Sequence, residues 1–256
     1  MRHLNLIRYA GISMVAGCMI LTSCTTHYAV IGIEGGRVPM TTLYDKDPDK
    51  EAVAIVERYR TTIDSIMSPV VAHAAKELKA YRPESPLSNL IADVLRQSAK
   101  PVIGKEADVA VMNMGGIRSE FSQGDITYGN VFETAPFENA LCLLTMNGST
   151  LQKLFTQIAA VHGEGLSGAH LTISKDGKLL KASVGGKAID PQKDYTVATI
   201  DYLAEGNDKM PAFREAKTKQ LPKGKRLRDL LLQYVEECER KGEFVDAKVE
   251  GRIIVK

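Results

Sequence analysis

A buried-strand pattern that runs into a pair of glycines constrains this chain more than any other feature. Asp108-Val-Ala-Val-Met112 is a short apolar run, and Gly115-Gly116 follows it after Asn113 and Met114. Such a run fits a strand covered on both faces. The glycines let the backbone leave that strand through conformations that a Cβ makes costly. The stretch from Asn113 to Phe137 then adds Arg118, a polar turn at Gln123-Gly124-Asp125 and an aromatic ring behind Pro136. Loops at the ends of buried strands are where binding groups gather.

The periodicity around this stretch alternates between helix and strand. Asp49 to Met67 repeats Val53, Val56, Tyr59, Ile63 and Ile66 at helical spacing behind an acidic start, which predicts a helix. Val70 to Ala75 reads as a strand. Ser85-Pro86 supplies an N-cap and a proline at the first helical position for an amphipathic helix reaching about Lys100. Strands are expected at Asn139 to Met146, Tyr195 to Ile200 and Arg252 to Val255, and helices at Thr150 to His162 and Leu227 to Arg240. Leu171 to Ser174 and Leu179 to Val184, joined through Lys175-Asp-Gly-Lys178, form a hairpin signal. Hairpins and short links interrupt the alternation, so the expected fold is α+β (mixed α/β): residues 49–256 as one domain of mixed β-sheets layered with helices.

The N-terminus reads differently. Arg2, His3 and Arg8 precede an apolar run from Ala10 to Leu21, and then comes Leu21-Thr22-Ser23-Cys24. That is the pattern of a secretory signal, too short for a comfortable membrane span. The small residues before Cys24 resemble a bacterial lipobox, which makes residues 1–23 a lipoprotein signal peptide, Cys24 the lipidation site and residues 24–48 a tether with a β-like run at Tyr28 to Ile33. The expected location is exported and lipid-anchored to a bacterial membrane, on its periplasmic face or the cell surface. Residues 1–23 hold two arginines and no acid, so the remainder carries 31 basic and 31 acidic side chains. That balance gives no electrostatic footprint for nucleic acid. Cys142 and Cys238 stand in a strand-like and a helix-like context and are expected as free thiols.

Catalytic signatures are missing from the sequence. It has no Gly-x-Ser-x-Gly elbow, no His-Glu-x-x-His and no phosphate loop. His27, His73, His162 and His170 lack a second ligand at metal spacing. Binding is better represented, in three clusters. Asn113, Gly115, Gly116 and Arg118 could turn amide, backbone and guanidinium donors toward an anion or a heterocycle, or Arg118 could simply pair with Glu120 or Glu84. Phe137, behind Pro136 and two residues before Asn139, offers a ring and an amide, or else a core phenylalanine. Asp201 to Asp208 puts Tyr202 at a strand end and a carboxylate in the turn. Two such rings could sandwich a base, with a carboxylate accepting the ribose hydroxyls.

Taken together, these clusters resemble the C-terminal domain of the 5'-nucleotidase family, which includes periplasmic UDP-sugar hydrolases. The resemblance runs from about residue 65 to 256, through Glu84-Ser-Pro-Leu-Ser-Asn-Leu-Ile-Ala-Asp93, Asn113-x-Gly-Gly-Ile-Arg118, Gly124-x-Ile-Thr127 and Pro136-Phe-x-Asn139. It implies the substrate-specificity half of a nucleotidase, in which two aromatic rings clamp the nucleobase. By position it makes Asn113 and Arg118 ligand contacts, Phe137 and Tyr202 the stacking rings, Asn139 a polar neighbour of the base and Asp208 the ribose-binding aspartate. Gly116 belongs with them in the substrate-binding set. The family's Gly-Gly-Asp-Gly turn is here Gly206-Asn207-Asp208-Lys209, in which asparagine tolerates a left-handed conformation and Lys209 replaces a glycine. Arg82 stands out of register with the family's upstream arginine.

Members of this family begin with a metallophosphatase domain, and the roughly 60 residues between Cys24 and Glu84 are too few for one. The expectation is therefore no catalytic residue, metal or cofactor on this chain, with divalent metals on a separate metallophosphatase partner and a nucleotide or nucleoside as ligand. A surface nucleotide-binding lipoprotein without a catalytic partner, or a structural domain with a vestigial pocket, remain the alternatives.

Overall fold

In a computed structural model, residues 28–256 are described. Two compact units divide the chain between Val53 and Ala54. Residues 28–40, in the first, have no regular secondary structure and are exposed. The β-like run at Tyr28 to Ile33 therefore forms no strand, because no neighbouring strand pairs with it. A 3-10 turn at Tyr44–Lys46 is the first regular element described. The expected signal peptide and the expected lipidation site Cys24 lie outside the described residues.

Helix α1 (Lys50–Met67) starts where Asp49 accepts from the N–H groups of Glu51 and Ala52. None of its residues is buried, so the apolar stripe that marks it as a helix covers no core. The elements that follow are β1 (Val70–Ala74), α2 (Pro86–Gln97), α3 (Lys100–Ile103), β2 (Val109–Met112), β3 (Gly124–Thr127), α4 (Tyr128–Thr134), β4 (Leu141–Asn147), α5 (Gly148–Ala160) and β5 (Gly165–Ser167). After them come β6 (Ala169–Ile173), β7 (Leu179–Val184), β8 (Lys187–Ala188), β9 (Asp194–Ile200), α6 (Asp201–Ala204), β10 (Thr218–Gln220), α7 (Leu227–Lys241) and β11 (Ile253–Val255). The helix caps follow the sequence signals. Ser85 and Ser88 make a reciprocal capping box at α2, Thr127 and Asn130 another at α4, and Asn147 caps α5 through the Thr150 N–H.

Among the described residues the strands make three sheets. A central one has the order β10-β4-β9-β2-β5, a second the order β11-β6-β7-β8, and β1 pairs with β3 alone. Both larger sheets are mixed, with one parallel pair each: β2 with β9, and β11 with β6. Helix α2 packs on β2, β5 and β9, helix α5 on β4, β6, β7 and β9, and α7 lies against β1 and α2. One continuous apolar core results, running through Ile91, Met112, Leu144, Phe155 and Val197. The mixed-sheet, helix-layered fold expected from the sequence is thus the one observed.

The stretch from Asn113 to Phe137 is more ordered than a long loop. It contains a 3-10 turn at Met114–Gly116, then β3 and α4. Helix α4 is a single short segment with two buried residues, Val131 and Thr134, too brief for periodicity to reveal.

Sheet order decides where the binding groups meet. Strands β2 and β9 are parallel neighbours, so their C-terminal ends open on the same edge. Strand β4 is antiparallel to β9, with Leu141 opposite Ile200, and β5 is antiparallel to β2, with Gly165 opposite Met112. The edge therefore gathers the residues after β2 and β9 and the residues before β4 and β5. Crevices outside the carboxyl ends of strands are the usual ligand sites of such sheets.

Candidate functional site

At that edge lies a cleft of about 290 Å³ lined by Asn113, Gly115, Gly116, Phe137, Asn139, Tyr202 and Asp208. Six of the seven residues singled out from the sequence line it. Arg118 does not: its side chain is exposed, and its Nη1 donates to the Gly115 carbonyl at 3.3 Å. Neither carboxylate suggested as its partner reaches it. Glu120 accepts from the Ala80 N–H, while buried Glu84 accepts from Asn89 Nδ2 and from the N–H groups of Glu250 and Ile253.

The two rings are exposed, and the Asn113 amide is the buried polar group of the cleft. Phe137 and Tyr202 are 47% and 42% exposed, unusual for large aromatics that could have joined the core. Asn113 is 4% exposed. Its Nδ2 donates to Asp208 Oδ2, and because a carboxylate only accepts, that bond fixes the orientation of the amide. Asn113 Oδ1 is left buried without a partner. It faces Gly116, where an added Cβ would lie 2.8 Å from it and 2.5 Å from Met112 Cε. A residue with a side chain at 116 would push directly on the amide that holds Asp208. The Gly116 N–H is not an anion donor, since it closes the 3-10 turn onto the Asn113 carbonyl at 3.1 Å.

Tyr202 sits in the first turn of α6 rather than in the strand, and its hydroxyl donates to Asp208 Oδ1 at 2.9 Å. That bond holds the phenol proton, so its pKa is raised. The turn that follows takes its shape from residues other than the expected one. Gly206, Asp208 and Lys209 have positive φ, the latter two at 51° and 63°. Asn207 does not; its Nδ2 instead donates to the Tyr202 carbonyl at 2.8 Å. Left-handed backbone at a residue bearing a Cβ costs about 1–2 kcal/mol, and here it turns the Asp208 carboxylate toward Asn113 and Tyr202. Lys209 is exposed and lines no part of the cleft.

Two residues behind the cleft carry weight that the sequence did not reveal. Glu164, 2% exposed, stands just before β5, where one oxygen accepts from the Met114 N–H and the other pairs with Arg82 at 2.5 Å. Burial raises its carboxyl pKa, against the lowering effect of the Met114 N–H and Arg82. Arg82, out of register as a ligand group, thus serves as a brace. An acid between two glycines, Gly163-Glu164-Gly165, was the available signal. On the other wall, Arg228 is 6% exposed at the start of α7, donates to the Pro136 carbonyl at 3.1 Å, pairs with Glu138 and stacks 4.4 Å from the Phe132 ring. Between them, Arg228 and the Leu227 N–H bond to the Asn139 carbonyl fix the segment that carries Phe137.

Other singled-out residues lie elsewhere. His162 and His170 are exposed and line no part of the cleft. Cys142 and Cys238 are buried free thiols as expected, with burial pushing Cys142 up to about 11. Among the described residues, no three His, Cys, Asp or Glu side chains come together as a metal set.

A model of the family described as "5'-nucleotidase, C-terminal domain" matches residues 70–215. Endonuclease YhcR of Bacillus subtilis is 34% identical over 166 residues, which is 62% of this chain and 13% of that protein. Protein UshA of Escherichia coli is 37% identical over 111 residues, 41% of this chain and 20% of its own length. The chain thus spans a fifth or less of these two relatives. Among solved structures, the 5'-nucleotidase precursor of Thermus thermophilus superposes with a TM-score of 0.71 at 25% identity, over 80% of this chain and 43% of that one. The family match covers every residue lining the cleft, and the chain belongs to the 5'-nucleotidase C-terminal domain family.

Proposed function

We propose that residues 49–256 are the nucleotide-specificity domain of a 5'-nucleotidase-type phosphohydrolase system, completed by a separate metallophosphatase chain. The observation that carries this reading is the convergence of two exposed rings, Phe137 and Tyr202, with Asn113, Asn139 and Asp208 around one cleft. A flat heterocycle stacks on such rings, and the Asn139 amide, two residues from Phe137, offers it a polar neighbour. Asp208 offers its carboxylate to ribose hydroxyls. Arg118 is exposed at the end of the same turn, pairs with no carboxylate among the described residues, and suits a phosphate at the mouth.

Hydrolysis itself is assigned to the partner. Phosphate ester cleavage of this class uses two metals to activate water, and the described residues do not fit such a group. His73 is the histidine nearest to carboxylates, yet it spends Nδ1 on Glu239 at 2.9 Å and Nε2 on Asp125 at 3.4 Å. No hydrolytic step is therefore routed through this chain. A lipid on Cys24 would hold the domain at a membrane, and palmitate labelling of wild type against Cys24→Ser tests that anchor.

Titration calorimetry with AMP, UMP and adenosine tests the binding reading. Phe137→Ala measured against wild type, and Tyr202→Ala measured against Tyr202→Phe, should each weaken binding at least fivefold, the low end of a stacking contribution of about 1 kcal/mol per base. Unchanged affinity in both variants removes the ring clamp. Mixing the protein with exported metallophosphatases and measuring phosphate release from AMP tests the split enzyme. If no partner gains rate or specificity, capture without hydrolysis replaces it.

A further inference from the structure

Both oxygens of the Asp208 carboxylate are engaged within the chain itself. Asn113 Nδ2 donates to Oδ2, and the Tyr202 hydroxyl donates to Oδ1 at 2.9 Å. The two bonds differ in setting. Asn113 is 4% exposed and its bond is partly buried, whereas Tyr202 is 42% exposed and its bond lies open to solvent. A ligand entering the cleft with a vicinal diol therefore meets the Tyr202 side of the carboxylate.

A carboxylate has capacity for about four donors, so counting lone pairs alone does not force an exchange. Direction does. The Asn113 amide occupies the inner side of Asp208, and the phenol occupies the outer side, which is the side a ribose must approach. The Asn113 bond is also costly to give up, because breaking it would leave a second unpaired polar atom on an amide whose Oδ1 is already orphaned and buried. The Tyr202 hydroxyl, at the surface, can turn to water instead.

We propose that the Tyr202 hydroxyl is a removable cap on Asp208, exchanged for the vicinal hydroxyls of a ribosyl ligand on binding, so that Tyr202 sets sugar specificity through its hydroxyl as well as stacking through its ring. The inference rests on the nucleoside reading of the cleft and sharpens it. The backbone is built to keep cap and carboxylate within reach: Asp208 is left-handed, and Asn207 ties the turn to the Tyr202 carbonyl. The raised phenol pKa agrees with a proton held by Asp208.

A cap of this kind has a definite thermodynamic consequence. A ribosyl ligand must break the Tyr202 bond before Asp208 can accept its hydroxyls, and a ligand without those hydroxyls leaves the bond in place. The cap thus narrows the preference for ribose, and removing it widens that preference by the worth of the lost bond.

The test is calorimetry of wild type and Tyr202→Phe with AMP and with 2',3'-dideoxy-AMP. Phenylalanine keeps the ring, so stacking is preserved. The expected result is AMP binding about three- to tenfold tighter in Tyr202→Phe, the net value of an ordinary hydrogen bond in a solvent-exposed setting, with dideoxy-AMP affinity unchanged. Weaker AMP binding would mean that the hydroxyl stays on Asp208 in the complex and organises the ring, which overturns the proposal. An equal change for both ligands, or none for either, overturns it as well and leaves the nucleoside reading standing. A wild-type protein that binds neither ligand removes both.

Discussion

Glu164 shows how much a single side chain can decide at this edge. Its carboxylate takes up the Met114 N–H, the first amide after Asn113, and braces Arg82 against the same turn. Glu164→Ala leaves that N–H buried and unpaired, since Met114 is 9% exposed, and should cost about 1–3 kcal/mol. Glu164→Gln keeps an acceptor and should cost less, with nucleotide affinity recovering in the same order. Urea unfolding read beside AMP titration checks this, and equal losses in the two variants would show that charge pairing with Arg82 matters more than the Met114 bond. Asn113, Gly116, Phe137, Asn139, Tyr202 and Asp208 were legible in the sequence because they carry family motifs. Glu164 and Arg228 were not, because a brace is defined by what it touches and Met114 and Pro136 lie far from them along the chain.

At the scale of elements, signals of local origin held and signals that depend on partners did not. The Ser85 and Asn147 caps and the hairpin turn at Asp176-Gly177 use contacts within four residues. Strands β3, β5 and β10 have three or four residues each, and such segments become strands through the neighbour they pair with. The stripe on α1 predicts the helix and leaves its burial open, because periodicity reports a helix's face and not what covers it. One prediction belongs here. His73 on β1 lies between Asp125 on β3 and Glu239 on α7. Its pKa is raised by the Glu239 hydrogen bond first; desolvation, the next largest effect, opposes the rise, and the charges of Glu239 and Asp125 add to it. A raised folded-state pKa gives stability that is complete below the ordinary value of 6.5 and lost as pH rises through the shifted one. The urea midpoint of the wild type should therefore fall over that window by more than that of His73→Gln. Parallel pH profiles would mean that the exposed cluster joins β1 to α7 with no net benefit.

At the scale of the whole molecule, one core among the described residues, beginning at Ala72, joins the three sheets and the helices packed on them. Phe155 of α5 is fully buried between the central and second sheets, with Leu154 and Ile158 beside it. Phe155→Ala should destabilise by about 3–5 kcal/mol and lower the thermal midpoint, while leaving AMP affinity unchanged at temperatures where the protein stays folded. Thermal melts with calorimetry at low temperature check this; lost affinity in the folded variant would show that the cleft depends on distant packing. The sequence by itself determined the helices with caps, the long strands, the family and the residues at the cleft, because each is written in short-range pattern or motif. Only the tertiary structure decided that Asn113, Phe137, Tyr202 and Asp208 line one cleft. The physical reason is the parallel pairing of β2 with β9 and the antiparallel pairing of β4 and β5 beside them, which turns four distant chain segments toward one edge. The same pairing set Glu164 behind the cleft and left Arg118 outside it, distinctions that no spacing along the chain records.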